Sequence, residues 1–261
     1  MKSTNRVFCA FAALTFSIGI YAQSGTNSPY SQYGLGVLSD QTSGFNRGMN
    51  GVGLGFREHN QVNFINPASY SAVDSLSFIF DVGFSGQITN FNESGKKINA
   101  KNADFEYAVA AFRVAKGFGV SFGILPYTNV GYTYTSSTPG SNVLSTTYSN
   151  SYYGEGGLHQ VYVGLGYQLF KGFSLGANVS YLWGSYDKTV TNSYSDSYAK
   201  TIQKVYSASV TNYKLDFGVQ YAFAVDKKNE FTLGATYSPG HDIGGNPSCV
   251  VTSTNPTTST P

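Results

Sequence analysis

The sequence predicts an all-β protein: an antiparallel transmembrane β-barrel preceded by an N-terminal hatch segment. The first supporting observation is composition. Only 11% of the 261 residues are charged and 16% are aromatic, whereas roughly a quarter of a typical soluble domain is charged. This balance argues against a disordered chain, a coiled coil and a nucleic-acid-binding protein. The other two observations are regular alternations, one of apolar with polar residues and one of short with long connections.

The N-terminus has the layout of a cleaved secretory signal peptide, assigned to residues 1–22. Lys2 and Arg6 precede the apolar run Val7–Ile20, and cleavage is expected after Ala22. Two of the 16 basic residues lie in this signal, so the mature chain carries 14 basic and 14 acidic residues. Its net charge is therefore zero, which implies no nucleic-acid partner. Only Cys249 remains, so no intramolecular disulfide can form.

Period-2 alternation predicts seven barrel strands within residues 75–240. The clearest is Tyr213–Asp226, where odd positions are apolar and even positions are polar or small. Phe118–Tyr134 keeps its apolar set on even positions throughout, which places Val130 and Tyr132 on the same face as Phe118. The other predicted strands are Leu76–Phe84, Phe105–Val114 (whose faces are uncertain), Gln160–Phe170, Phe173–Trp183 and Phe231–Tyr237.

Short and long connections alternate along the chain. Tight turns are predicted at Lys116-Gly117, Lys171-Gly172 and Asp226–Asn229. Long polar connections are predicted around residues 86–102, 136–157 and 188–209, and residues 241–261 are assigned to a polar extracellular loop or truncated end. This asymmetry is typical of outer-membrane barrels, whose short turns face the periplasm. The alternative is a secreted β-sandwich, whose wet face usually carries abundant charge.

The hatch segment, residues 23–74, does not alternate and is rich in glycine. Asn66 is a good N-cap and Pro67 suits the first helical position, so a short helix is predicted over Pro67–Val73. The glycine cluster lacks the spacing of a nucleotide-binding loop. A segment of this length before the first strand either hangs in the periplasm or folds into the lumen. The candidate hatch or gate residues are Arg47, Gly51, Asn66, Pro67 and Ala68.

The third predicted strand is interrupted at mid-length. Proline donates no ladder hydrogen bond and glycine weakens a strand, so both mark bulges or bends. Because an unpaired backbone group in lipid is costly, a break here is expected to border a water-lined or protein-lined opening. A simple bulge is the alternative. The candidate kink residues are Pro126, Tyr127, Asn129 and Gly131.

Residues 44–187 resemble the FadL-type outer-membrane transporters of long-chain fatty acids and aromatic hydrocarbons. The resemblance is carried by the spaced glycines of Gly44–Gly55, by Asn66-Pro67-Ala68, by the break at Pro126–Gly131 and by the Gly157–Ser185 hairpin. It implies a 14-stranded barrel, a luminal hatch and a lateral opening at the kinked third strand. It also implies passive transport, with outer-membrane lipid, a hydrophobic ligand and a lipid-like or detergent-like molecule in the lumen as partners.

Seven strands conflict with the even strand number of bacterial single-chain barrels. The polar tract Val251–Pro261 would also end on the extracellular side. We therefore expect the sequence to be the N-terminal half of a longer protein. An eight-stranded barrel that recruits Ser248–Thr254 is the weaker option, because its lumen would be filled by side chains alone.

The sequence contains no evident catalytic or metal-binding motif, so it predicts no enzyme, no cofactor and no metal. Its three histidines are widely spaced, and Glu155 with His159 is better explained as a pair at the barrel rim. Polar residues on the inward strand positions either pair inside the lumen, which is favoured for the charged ones, or contact the hatch or a ligand headgroup. These lumen-facing candidates are Gln160, Asn178, Lys214, Asp216 and Gln220.

Two functions remain open from the sequence, both in the cell outer membrane. The first is passive uptake of small hydrophobic molecules through the lateral opening. The alternative is a barrel of the same fold that transports nothing and acts as a protein-binding or secretion-system platform, with partners that the sequence leaves unknown.

Overall fold

The computed structural model describes residues 26–93, 96–138, 147–196, 199–226 and 229–255. They form one antiparallel sheet that curls into a half-barrel, which confirms the all-β prediction. The predicted signal peptide lies outside the described residues. The strands are β1 (Val37–Leu38), β2 (Phe78–Glu93), β3 (Lys96–Ala115), β4 (Phe118–Thr138), β5 (Tyr148–Phe170), β6 (Phe173–Tyr194), β7 (Thr201–Ala224), β8 (Glu230–Tyr237) and β9 (Gly245–Thr254).

Helices are few and short. The α-helix α1 spans Gly44–Gly48, and 3-10 helices span Pro29–Gln32 and Pro67–Ala72. The last of these is the short helix predicted after Asn66. In the described part of the chain, no helix has the length and apolarity needed to cross a membrane.

The curled sheet, which we call the wall, is seven strands wide. Strands β2 to β8 pair in chain order, and β9 pairs with the outer half of β7, beyond the part that pairs with β8. Strands β8 and β9 therefore form one interrupted row along β7. Residues Ser248–Thr254 extend the seventh row, so the eight-stranded alternative is wrong. Likewise, Gly245–Thr254 is a strand although the sequence analysis assigned 241–261 to a loop or truncated end.

The apolar face of the wall points outward and the polar face points inward. Val163 and Val179 are 54% and 58% exposed, whereas Asn178 and Gln220 are 4% and 0% exposed. A β-sandwich would bury its apolar face and expose its polar face to solvent, which is the reverse of this pattern. The β-sandwich alternative is therefore excluded.

The strands continue through most of the segments predicted as long loops. Strand β5 has 23 residues and β7 has 24, although a tilted membrane strand needs only ~9–11. The predicted loops at 86–102, 136–157 and 188–209 therefore fall largely within β2 to β7. These outer parts are polar on both faces and show no alternation. Paired aromatic rings hold them in register instead, with ring centroids 4.8 Å apart in Tyr134–Tyr152 and 5.4 Å apart in Tyr148–Tyr194.

Strand β4 contains the bulge that the sequence indicated. Pro126 pairs with His159 and Thr128 with Leu158, so Tyr127 has no partner in β5. One extra residue exchanges the two faces of a strand. Even positions of β4 therefore face outward before the bulge and inward after it, and Val130 is fully buried. The prediction that Val130, Tyr132 and Tyr134 share a face with Phe118 is wrong for this reason.

Strands β3 and β4 separate close to the bulge. They pair between Ala115↔Phe118 and Ala108↔Ile124, and not beyond. In the outer half, β1 pairs with β4 instead, through Val37↔Asn129 and Leu38↔Thr128. The gap between β3 and β4 is thus partly filled by the chain's own N-terminal segment.

The exchange of faces in β4 can be tested by cysteine labelling in a Cys249→Ser background, which removes the exposed native cysteine. We expect a water-soluble maleimide to label Thr133→Cys and to leave Val130→Cys unlabelled in the folded protein, because only position 133 is exposed. Mass spectrometry of the intact protein measures the labelling. Unfolding in urea serves as the control, since both variants should then react. Labelling of Val130→Cys with protection of Thr133→Cys would contradict the bulge.

Candidate functional site

The candidate site is the hatch and the inner face of the wall on which it lies. Side chains of the hatch form one buried cluster with inward residues of β3, β4 and β5. Burying apolar surface here fixes an otherwise irregular segment inside the curl of the sheet. The sequence left two locations open for the hatch, and the structure places it in the lumen. The cluster comprises Val62, Phe64, Tyr70, Val73, Tyr107, Val109, Ala111, Leu125 and Tyr162.

Four glycines in register form the seat for the second 3-10 helix. Gly119 pairs with Gly166, Gly166 with Gly176, and Gly176 with Gly218, so one row crosses β4 to β7. We call these four residues the glycine row. A Cβ atom on Gly119 would lie 1.9 Å from the Tyr70 carbonyl oxygen, and one on Gly176 would lie 2.3 Å from the Pro67 carbonyl carbon. Only glycine leaves room for the hatch at these positions.

Asn66 forms hydrogen bonds both within the hatch and from the hatch to the wall. It is fully buried, and its Oδ1 accepts from the backbone N–H of Ala68 at 3.1 Å, which caps the 3-10 helix. Its Nδ2 donates to the carbonyl of Leu54 at 2.8 Å and to that of Val219 in β7 at 3.1 Å. The predicted hatch residues Asn66, Pro67 and Ala68 therefore all lie at the seat.

Arg57 is a hatch residue that the sequence analysis missed. Its guanidinium donates to the carbonyl of Ala68 at 3.3 Å, to Ser71 Oγ at 3.0 Å and to Gln220 Oε1 at 3.4 Å. Burial lowers the pKa of Arg57 from its ordinary value. Gln220 also donates through Nε2 to the carbonyls of Leu54 and Phe56, both at 3.0 Å. A lone arginine in a polar segment gives no pattern that could have revealed this role.

The predicted lumen residue Asn178 contacts the hatch from β6. Tyr70 donates its hydroxyl proton to Asn178 Oδ1 at 3.1 Å, and Asn178 Nδ2 donates to the Phe64 carbonyl at 3.3 Å. Burial raises the pKa of Tyr70 well above its ordinary value, so its phenol stays protonated and acts as a donor. A side-chain amide of the wall thus satisfies polar groups at two points of the hatch.

The remaining lumen candidates surround a cavity of about 270 Å³ between the hatch and the wall. Gln160 donates to Gln41 of the hatch, while its own Oε1 is buried without a hydrogen-bond partner. Lys214 pairs with Asp216 at 2.6 Å on the cavity wall. Of the five candidates, Gln160, Asn178 and Gln220 contact the hatch, and the two charged ones pair with each other. The cavity is lined by, among others, Gln41, Phe64, Leu125, Gln160, Lys214 and Asp216.

Arg47 holds α1 against the outer part of β3. Its guanidinium lies 3.0 Å from an Asp40 carboxylate oxygen and 3.1 Å from one of Glu106. The hydrogen bond to Glu106 raises the pKa of Arg47. Gly51, which was predicted as a hatch residue together with Arg47, adopts φ +79°. An added Cβ on Gly51 would lie within 4 Å of only Thr42, itself a hatch residue, at 3.8 Å. Gly51 therefore serves a turn within the hatch.

The predicted kink residues hold the first part of the hatch along the separated edge of β4. Ser31 Oγ both donates to the carbonyl of Gly131 and accepts from its N–H, at 3.2 and 3.1 Å. The Ser39 N–H donates to the Tyr127 carbonyl at 2.9 Å, and Gln41 Nε2 donates to that of Pro126 at 3.0 Å. Asn129, opposite β1, donates across the gap to Asp104 of β3 at 3.4 Å. The edge left open by the bulge is thus bonded to the hatch.

The candidate catalytic pair does not come together as a site. Glu155 and His159 both lie in β5, where the ring of His159 packs on Trp183 at a centroid distance of 6.0 Å. In the part of the chain that the structure describes, no group of three or more His, Cys, Asp or Glu side chains is placed to hold a metal ion.

Comparison with known families identifies the chain. The model of the BamG family matches residues 4–260, which is nearly the whole sequence. The chain belongs to the BamG family. This family is related to the Bam complex, and both it and the barrel fold are compatible with an outer-membrane location. The resemblance to FadL-type transporters is therefore wrong as an assignment. No curated protein and no solved structure matched the chain.

The glycine row predicts that a single methyl group can displace the BamG-family hatch. Gly176→Ala places a Cβ within 2.4 Å of two backbone atoms of Pro67 and Ala68, and such overpacking costs about 1–3 kcal/mol. We expect trypsin to cut the hatch at Arg47 or Arg57 faster in this variant than in the wild type, measured by electrophoresis and mass spectrometry. Gly86→Ala is the matched control, because nothing lies within 4 Å of its Cβ. Equal cleavage in the two variants would contradict the seat.

Asn66→Ala removes the cap of the 3-10 helix and the Nδ2 group that donates to the carbonyls of Leu54 and Val219, which leaves Gln220 as the remaining side-chain donor to Leu54. Losing buried partners of this kind costs about 1–3 kcal/mol. The urea concentration at which trypsin reaches the hatch should therefore fall, while the exposed control Asn246→Ala should leave it unchanged. Asn66→Asp keeps the acceptor and loses the donor, so it should resemble Asn66→Ala. Wild-type resistance in Asn66→Asp would show that only the cap matters.

Proposed function

We propose that this BamG-family protein is a non-transporting outer-membrane barrel that serves the assembly of other barrels as a protein-binding platform. The observation that carries the proposal is the family match over residues 4–260, because the family is related to the Bam complex. The outward apolar face supports a place in the bilayer, where outer-membrane lipid would cover most of the wall. The platform needs no catalytic chemistry, and we infer that the protein is not an enzyme.

The contacts of the hatch favour a fixed plug over a conduit. The hatch packs against the glycine row and is hydrogen-bonded to Asn178, to Gln220 and along the separated edge of β4. The cavity of about 270 Å³ described above is lined in part by the Lys214–Asp216 ion pair, which suits an apolar ligand poorly. A rigid plugged wall is what a binding surface needs, because its geometry is set before a partner arrives.

The proposal is tested by isolating the full-length protein from outer membranes under mild detergent and identifying what accompanies it. We expect subunits of the Bam complex at stoichiometric amounts, and depletion of the protein should lower the level of other outer-membrane barrels, measured by quantitative proteomics. An abundant unrelated barrel, tagged and purified in the same way, is the control. Absence of Bam subunits together with unchanged barrel levels would overturn the proposal.

A further inference from the structure

The outward face of the wall contains a groove of about 710 Å³ on β5, β6 and β7. Gly184 lies in it and adopts φ +155°, and Gly157, beside it in the sheet, adopts φ +149°. We call it the outer groove. The residues that line it include Val161, Tyr181, Trp183, Ser185, Ser209 and Thr211.

The outer groove lies at the boundary between the apolar and polar parts of the wall. Its lower half continues the exposed apolar rows that contain Val163 and Val179. Its upper edge carries the hydroxyls of Ser185, Ser209 and Thr211. This change of chemistry along the strands corresponds to the membrane–water interface. The groove thus offers apolar contact next to hydrogen-bonding groups at the level of the headgroups.

Trp183, the single tryptophan of the sequence, lies in this groove. Its ring stacks on Tyr181 at a centroid distance of 5.8 Å and packs against His159 at 6.0 Å. Aromatic side chains held rigidly by their neighbours bind at little entropic cost, and tryptophan and tyrosine dominate the binding energy of protein interfaces.

Two like charges lie directly opposite each other above the groove. Glu155 of β5 and Asp187 of β6 are cross-strand partners, and both are exposed. Like charges at such positions destabilise a sheet. Among the described residues, no lysine or arginine lies within 4.0 Å of either carboxylate. The neighbouring Lys188 donates instead to the carbonyls of Gln32 and Gly34 in the hatch, at 2.7 and 2.8 Å.

We propose that the outer groove and the Glu155–Asp187 pair together dock a membrane-embedded protein partner. The partner would place an apolar or aromatic side chain against Trp183 and a lysine or arginine against the two carboxylates. The two negative carboxylates repel the phosphate of a lipid headgroup, so a protein with a basic side chain is the better occupant. The inference rests on the proposed platform function and assigns the surface on which it acts.

The test places a photo-crosslinking amino acid at Ser209 or Thr211 of the full-length protein in living cells. We expect a discrete protein adduct from the groove positions and none of the same mass from Leu233, which is exposed on β8 outside the groove. Mapping of the crosslinked peptide should show a lysine or arginine close to an apolar residue. Asp187→Lys should then lower the adduct yield about tenfold, which corresponds to about 1.4 kcal/mol.

The matched control is Asp242→Lys, which makes the same charge change at an exposed position outside the groove. Exchanging the partner's basic residue for glutamate should restore the adduct with Asp187→Lys. Adducts with lipid alone, or protein adducts that persist at full yield in Asp187→Lys, would overturn the docking site. If Bam subunits still accompany that variant, the groove assignment fails and the platform stands. If none accompanies the wild type, the platform itself is wrong.

Discussion

The contact between the glycine row and the hatch segment Asn66–Tyr70 sets the geometry of the interior. At each of the four positions a Cβ atom would fall within 2.5 Å of a hatch atom, so the depth at which the helix lies is fixed by the main chain of the wall. The hydrogen bonds of Asn66, Asn178 and Gln220 are short enough to form only because the hatch lies this deep. The luminal cavity is the space that this packing leaves.

The polar inner face of the wall and the irregular backbone of the hatch satisfy each other. Buried polar groups need hydrogen-bond partners, and a hatch without regular structure has carbonyls that no helix or sheet pairs. Side-chain amides of the wall and the hatch bond the carbonyls of Leu54, Phe56 and Phe64. Neither part would be satisfied alone in a dry lumen, so wall and hatch depend on each other for stability.

Alternation predicted the faces of β5, β6 and β7, because one apolar face meets one polar face there. It failed after Tyr127, where a single unpaired residue exchanges the faces, and in the outer strands, where both faces are polar. Asn66 and Pro67 were recognisable because capping is local chemistry. The pairing of Gly166 with Gly176 could have been found by counting from the tight turn at Lys171-Gly172. The acceptors of Arg57 lie in the second 3-10 helix and in β7, far from it in sequence, and leave no sequence pattern.

The same strands connect the hatch to the outer surface. Alternation in β6 turns Lys188 inward and leaves Asp187 outward. The ammonium group of Lys188 donates to the hatch carbonyls of Gln32 and Gly34. The cation nearest in sequence to Asp187 is therefore committed to the plug. Because Lys188 is hydrogen-bonded to the hatch, it forms no ion pair with the outward carboxylates of Glu155 and Asp187. The first part of the hatch thereby contributes to the electrostatic character of the outer groove, on the opposite face of the same wall.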